Sequence, residues 1–341
     1  MIPSLAVARE LRRRGHEAFF VGTERGVEAR LVPAAGFELQ KIHIGALKRV
    51  GAVQRLATLA QLPLSTFRMF GMLRKRRTSA VFSMGGYAAG PVVMGALAAG
   101  RPVVVMEPNA IPGFTNRRIG RYVARALVSF PDTSRYFPRG RTEVTGLPVR
   151  EEFFNLPAKQ PSETFTILVT GGSQGSRTLN RAARESWPLF RQANFPVRFV
   201  LQTGQPEFEA LRAAFAEAQL PGEVLPFITD MPAAFAAADL VVCRSGAGAV
   251  AELAAAGKPS IVVPFPFAAD DHQLRNAQAF SDAGASQMVQ DRELTGAKLY
   301  EMVAILARAP RLLEQMSAAA RRLAHPGAAA RAADILEEVA Q

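Results

Sequence analysis

DLVVCRSGAGAVAELAAAGKPSIVVPFPFAADDHQLRN, residues 239–276, decides the fold of this 341-residue chain. Its apolar opening, Leu240-Val241-Val242-Cys243, has the composition of a buried strand. The turn Arg244-Ser245-Gly246-Ala247-Gly248 follows, then a helical stretch that carries Glu252 and stops at Gly257-Lys258-Pro259. A second apolar run, residues 261–264, leads into a polar loop with Asp270, Asp271, His272 and Gln273. Strand, tight turn, helix, strand and loop make the repeating unit of a parallel α/β sheet. Such sheets bind ligands beyond the carboxyl ends of their strands, and both polar loops sit at such ends.

The helix that begins at the turn would aim its free amides at that ligand, which favours a phosphate. Glu252, a carboxylate near a helix start, can accept two hydroxyl bonds from a ribose. Gln273 offers a carbonyl and an amide to neighbouring hydroxyls of a sugar. Phosphate, ribose and hexose together describe a nucleotide-sugar. From this unit alone, a solvated helix glutamate and an ordinary loop glutamine explain the same residues.

Composition narrows the class. The chain is 49% hydrophobic with 27 Gly and 23 Pro, as expected of two turn-rich α/β domains. A single cysteine, Cys243, rules out an intramolecular disulfide and a cysteine metal cage. No run of about 18 apolar residues suggests a transmembrane helix, and the arginines at 9 and 12–14 do not fit a signal peptide. The charge is lopsided. Residues 1–150 hold 24 Lys/Arg against 8 Asp/Glu, a net +16, whereas residues 151–341 hold 17 against 21, a net −4. The basic half therefore calls for a polyanionic partner, either an anionic membrane surface or nucleic acid.

From the N-terminus, Met1-Ile2-Pro3-Ser4 runs directly into a helix over residues 5–14, and residues 16–23 read as a strand. A doubly wound domain normally opens with a strand and a phosphate-side loop before its first helix. Met1 is accordingly expected to be an internal methionine. A protein made with this start is expected to have a poorly folded N-terminal domain and weak catalysis.

Residues 56–77 combine an apolar surface with a basic end and no acid. Leu64, Phe67 and Phe70 with Arg68, Arg74, Lys75, Arg76 and Arg77 form the pattern of a membrane-surface segment. A packed helix with a solvated basic end gives the same pattern. Nucleic acid is disfavoured, because the interleaved residues are mostly aliphatic and base stacking prefers aromatics. Strands over 79–84 and 102–106 end at Gly85-Gly86-Tyr87 and at Glu107-Pro108-Asn109. Residues 151–163 have linker composition. A fresh strand, 164–170, then leads into the glycine loop Gly171-Gly172-Ser173-Gln174-Gly175-Ser176, which is neither a P-loop nor a dinucleotide fingerprint. Strands over 197–204 and 223–228 follow, and an exposed backbone at Ile228 could pair with the edge of a base. Helices are expected over 296–308, 310–325 and 328–339.

Six stretches together resemble one family: MGGYAAGP (84–91), EPNAIPGFTN (107–116), GLPVR (146–150), GGSQGSRTLN (171–180), CRSGAGAVAE (243–252) and DDHQLRNA (270–277). In that order they are similar to the MurG family, bacterial N-acetylglucosaminyltransferases of peptidoglycan and cell-wall biogenesis, and so of cell shape and division. The resemblance implies a GT-B fold, two Rossmann-like domains with parallel sheets facing across a cleft. Residues 1–150 would form the acceptor- and membrane-facing domain and 151–325 the donor domain, with a C-terminal helix at 326–341 packing back on the first. It implies inverting transfer of N-acetylglucosamine from UDP-N-acetylglucosamine to the muramyl O4 of lipid I, giving lipid II. No cofactor is expected, because the nucleotide-sugar is a substrate. No metal is expected either: no Asp-x-Asp pair stands at a strand end, so helix N-termini would meet the leaving group's charge.

Carried over by motif, the donor contacts are Asn109, Arg150, Ser173, Ile228, Ala247, Gly248, Ala249, Val250, Ala251, Glu252 and Gln273. Ser173 and the Ala247–Ala249 amides would hold phosphate, Glu252 ribose, Ile228 uracil and Gln273 the hexose. The basic apolar segment resembles the family's membrane contact and implies a peripheral enzyme on the cytoplasmic face of the inner membrane. The family opens with a strand and a GGTGGH loop that this chain lacks. Within the chain, Glu107 is the candidate general base, with orientation of Asn109 or the acceptor as its competing role. His272 looks placed to fix its loop, and His16, His43 and His325 look structural or exposed. Competing readings are a UDP-sugar-binding protein without turnover, a glycolipid synthase, or a UDP-N-acetylglucosamine 2-epimerase.

Overall fold

The computed structural model describes every residue except 25, 43–51, 87–88 and 160–161, and the side chains at 52–60 and 269 lie outside the description. His43, Tyr87 and Ala88, and residues 160–161 of the linker stretch therefore fall outside the described residues. Residues 1–149 with 327–341 form one compact unit, and residues 150–326 another.

The first unit opens with helix α1 (Ile2–Arg13), with Pro3 in its first turn, where a missing N–H costs no helical bond. Strand β1 (Phe19–Gly22), helix α2 (Glu28–Ala34) and strand β2 (Glu38–Lys41) follow, and the two strands pair in parallel with Phe19 opposite Glu38. Helix α3 (Ala52–Lys75) then precedes β3 (Val81–Ser83), α4 (Ala89–Ala98), β4 (Val103–Glu107), α5 (Phe114–Ile119), β5 (Arg125–Val128) and β6 (Thr142–Val144). These last four strands make a parallel sheet in the order β3-β4-β5-β6, separate from the β1-β2 pair among the described residues. Every residue of β4 is buried, as expected of a strand covered on both faces. Its end includes Glu107, which stands opposite Val128. Helix α3 lies on α4 through Met69, since a Cβ at Gly95 would come within 2.8 Å of the Met69 Cβ.

The second unit is a six-stranded parallel sheet. Its elements are β7 (Phe165–Thr170), α6 (Arg177–Gln192), β8 (Val197–Gln202), α7 (Phe208–Ala218), β9 (Gly222–Leu225) and α8 (Met231–Ala237). They continue with β10 (Leu240–Cys243), α9 (Ala247–Ala256), β11 (Ser260–Val262), α10 (His272–Asp282), β12 (Ser286–Met288), α11 (Gly296–Ala307) and α12 (Pro310–Arg322). The strand order is β12-β11-β10-β7-β8-β9, so the chain leaves the central β7 in one direction and returns beside it at β10. Trp187, Phe190, Phe199 and Phe215 fill the core between the sheet and its helices. The stretch at 270–273, read as a loop, is shorter than expected. Helix α10 begins at His272, so His272 and Gln273 are helical residues.

The last helix, α13 (Ala328–Ala340), belongs to the first unit and packs on α1. No helix among the described residues is long and apolar enough to cross a membrane.

Candidate functional site

The chain reverses its winding between β7 and β10, and the crevice outside such a switch point is where open α/β sheets take ligands. Cys243 stands opposite Thr170 in this pair, so the loops after them, 171–176 and 244–246, leave the sheet side by side. Arg244 joins them. Its Nη2 donates to the Ser176 hydroxyl at 2.7 Å, its Nη1 reaches the Val263 and Pro264 carbonyls, and it pairs with Asp291 at 2.5 Å. Ser176 is the N-cap of α6 and accepts the Leu179 N–H. Helix α9 starts after Gly246 with no side-chain cap, and its first intrahelical bond is Val250 N–H to the Gly246 carbonyl. The amides of Ala247, Gly248 and Ala249 thus have no helical acceptor, while Ala251 and Glu252 continue the helix behind them. Two helix N-termini, α6 and α9, converge here with the exposed Ser173 on the loop between β7 and α6.

Glu252 is half-buried in the second turn of α9, and no described residue donates a hydrogen bond to it. Burial raises its carboxyl to about 7, opposed by the Arg150 charge. Arg150 is exposed, with its guanidinium 4.9 Å from the Phe153 ring centroid. Burial first, and then the Glu252 carboxylate, pushes the Cys243 thiol up to about 12, so this cysteine is an inert core group. Gln273, in the first turn of α10, accepts the Phe265 N–H at Oε1 (3.1 Å), and its carbonyl takes the Ser245 hydroxyl at 2.8 Å. Asn276, fully buried one turn on, donates to the Ser245 carbonyl and locks α10 to the β10 turn. His272 keeps its ring within 3.9 Å of Asp270, in a loop where Asp270 and Asp271 both take left-handed backbone angles.

Ile228 is buried, and half of its backbone is already committed. Strand β9 ends at Leu225, and the Ile228 N–H is bonded to the Gln202 Oε1 at 2.8 Å. Only its carbonyl accepts nothing among the described residues. Gln202 and Arg244 went unassigned in the sequence reading. The signal for Gln202 was a polar residue closing an otherwise apolar strand, VRFVLQ, and for Arg244 a cation inside the glycine turn.

In the first unit, Glu107 is 1% exposed. Its Oε1 accepts the Asn109 N–H and the Asn109 Nδ2, both at 3.0 Å. Its Oε2 accepts the Gly113 N–H at 3.0 Å and the Asn116 Nδ2 at 2.9 Å. Four donors fill the four acceptor sites of a carboxylate, leaving none for an incoming proton. The geometry supports the competing role of Glu107, holding Asn109 and the loop to Asn116 in place. The Thr133 hydroxyl supports the same loop through the Asn109 and Ala110 carbonyls.

On α3, Leu64 and Phe67 are 54% and 70% exposed, one turn apart. Phe70 stacks on Phe67 at 6.4 Å and lies under the Arg74 guanidinium at 5.5 Å. Arg68, Lys75 and Arg77 are exposed. Arg76 differs from them, because both of its terminal nitrogens bond Glu38, at 2.7 and 2.5 Å, and it covers the Phe19 ring.

The description "Glycosyltransferase family 28 N-terminal domain" matches residues 1–128, and "Glycosyltransferase family 28 C-terminal domain" matches residues 166–339. The chain is 64% identical over 341 residues to the UDP-N-acetylglucosamine–N-acetylmuramyl-(pentapeptide) pyrophosphoryl-undecaprenol N-acetylglucosamine transferase of Solibacter usitatus, covering 100% of this chain and 93% of that protein. It is 40% identical to the Myxococcus xanthus protein of the same name, covering 98% of this chain and 88% of the relative. Among solved structures it is similar to Acinetobacter baumannii MurG, with a TM-score of 0.82, 33% identity and coverage of 98% and 95%.

Proposed function

The chain belongs to the MurG family of glycosyltransferases, and on that premise we propose that it moves N-acetylglucosamine from UDP-N-acetylglucosamine to the muramyl O4 of lipid I. The acceptor oxygen attacks the anomeric carbon, the bond from that carbon to the diphosphate oxygen breaks, and UDP leaves with inversion. The observation that carries this reading is the meeting of two helix N-termini at the β7–β10 switch point with the unpartnered carboxylate of Glu252 on one of them. The Ala247, Gly248 and Ala249 amides with Ser173 take the diphosphate, whose charge grows as UDP departs. Glu252 accepts the ribose hydroxyls, Arg150 adds positive charge beside it, and Gln273 reads the hexose with its amide. Within the first unit Glu107 holds Asn109, so Glu107 is a positioning residue.

The α3 surface is the membrane contact of this reading. Leu64, Phe67 and Phe70 enter the interface, and Arg68, Arg74, Lys75 and Arg77 meet anionic headgroups of the cytoplasmic leaflet. Arg76 instead ties α3 to β2 through Glu38.

The test is transfer of labelled N-acetylglucosamine from the UDP donor to a short-chain lipid I analogue. A labelled disaccharide product, dependent on both substrates, is the expected result. Binding of the donor with no transfer would move the protein to the binding-only reading. UDP-N-acetylmannosamine formed without an acceptor would make it an epimerase.

A further inference from the structure

Gln202 closes β8 at the rim of the switch point, 1% exposed. Its Oε1 accepts the Ile228 N–H at 2.8 Å. Its Nε2 donates to the Gly172 carbonyl at 2.8 Å and to the Thr170 hydroxyl at 3.2 Å. Both amide hydrogens and the carbonyl are therefore used, and the orientation is forced. A flipped amide would set N–H against N–H at Ile228 and carbonyl against carbonyl at Gly172. The neighbouring backbone is fixed as well, because the Thr203 and Gly204 N–H groups bond the Leu225 and Pro226 carbonyls. The chain approaching Ile228 is thereby held along the end of β8. One buried side chain thus grips the glycine-rich loop on one side and the Ile228 segment on the other.

We propose that Gln202 is a positioning residue that commits the Ile228 N–H, leaves the Ile228 carbonyl to select the donor's base, and links that selection to the diphosphate loop at Gly172. This deepens the uridine-donor reading above and rests on it. A backbone that presents only an acceptor suits a ring nitrogen that carries a proton. With the base held in one pose by the diphosphate and ribose, uracil N3–H satisfies it, whereas cytosine in that pose sets its N3 lone pair against the carbonyl. The Gly172 bond holds base reader and diphosphate loop at a fixed separation, so both ends of UDP find their partners without rearrangement.

The test compares the full chain with Gln202→Met and Gln202→Glu, measuring dissociation constants for UDP and CDP by calorimetry, with thermal melts to establish folding. The wild type is expected to prefer UDP by about tenfold or more. In Gln202→Met the freed Ile228 N–H can donate to cytosine N3, so that preference should collapse towards unity. In Gln202→Glu the carboxylate still accepts from Ile228 but can donate to Gly172 only when protonated. Its UDP-over-CDP preference should persist, and its UDP affinity relative to wild type should rise as pH falls from 8 to 6.

A Met variant that keeps the wild-type preference, or weakens both nucleotides alike, overturns the proposal, since a merely structural role would do just that. Should the Met variant not fold, the Glu variant decides, and a UDP affinity that tracks wild type across the pH range overturns it. A wild-type protein that does not distinguish UDP from CDP sinks the uridine-donor reading itself, and the role of Gln202 with it.

Discussion

Glu252 ties donor binding to pH. Only the ionised carboxylate can accept two ribose hydroxyls, and burial holds the free group at about 7. Acid therefore competes with the donor: affinity is full well above 7 and falls as pH drops below it. Between pH 8 and pH 6 the UDP dissociation constant is expected to rise about tenfold, and binding at pH 7 to release about half a proton. Calorimetry in buffers of different ionisation enthalpy measures both, and Glu252→Gln should abolish the pH dependence while weakening UDP at high pH. Glu107 gives a second prediction at this scale. Replacing it with Ala strands four donors that now bond one buried carboxylate, so a loss of roughly 3–5 kcal/mol in the stability of the first unit is expected, read by urea unfolding. A variant that folded as stably as the parent but lost turnover would restore the general-base role. The sequence showed which polar residues stand at strand ends. It did not show what each one bonds, because Glu107 is saturated by backbone and side-chain donors 2 to 9 positions away and the Ile228 N–H is captured by a side chain 26 positions away.

Among the elements, α3 carries the sharpest consequence. A helix that exposes Leu64 and Phe67 on one turn while burying Met69 and Leu73 has two apolar faces, one against α4 and one to solvent. A solvent-facing apolar patch ringed by arginines fits a lipid surface better than it fits water. Phe67→Glu is expected to lower partitioning onto vesicles containing anionic lipid by at least tenfold, while shifting stability by no more than about 0.5 kcal/mol, since the ring is exposed. Sedimentation with vesicles of neutral and anionic composition measures the first, a thermal melt the second. Unchanged partitioning would return α3 to the bland reading of a helix with a solvated basic end. Hydrophobic periodicity and glycine punctuation located most helices and strands to within a few residues. The exceptions have local causes. Helix α10 starts two residues before its apolar pattern becomes visible, after two aspartates in left-handed geometry. Strand β9 stops at Leu225, where Pro226 has no N–H to offer the ladder, and the Ile228 donor beyond it is claimed by a side chain.

For the molecule as a whole, the placement of α13 matters more than its helicity. Charge imbalance and linker composition mark two halves in the sequence, but only the structure shows how the last helix is held in the first unit. The apolar residues Ala328, Ala332, Ala333, Ile335 and Leu336 are buried there. Arg14 reaches Asp334 and Glu337 at 2.6 and 2.8 Å, and Arg331 meets Glu143 at 2.7 Å. These side chains are 20–43% exposed, and pairs still open to solvent on one side add little. Burial of Ile335 and Leu336 contributes roughly 1.5–3 kcal/mol each, and the alanines add to that, with the sum an upper bound. A loss of about 5 kcal/mol is comparable to the whole stability of many domains. Ending the chain after Pro326 should therefore unfold the first unit and spare the second. The single tryptophan makes the two separable, because Trp187 lies in the core of the second unit. In urea, the truncated chain is expected to keep the parent's Trp187 fluorescence transition and its UDP binding, while much of the far-UV helical signal from α1 to α5 is already lost before denaturant is added. If the fluorescence transition moves down with the helical signal, the second unit depends on the first, and the two cannot be treated as independent folding units.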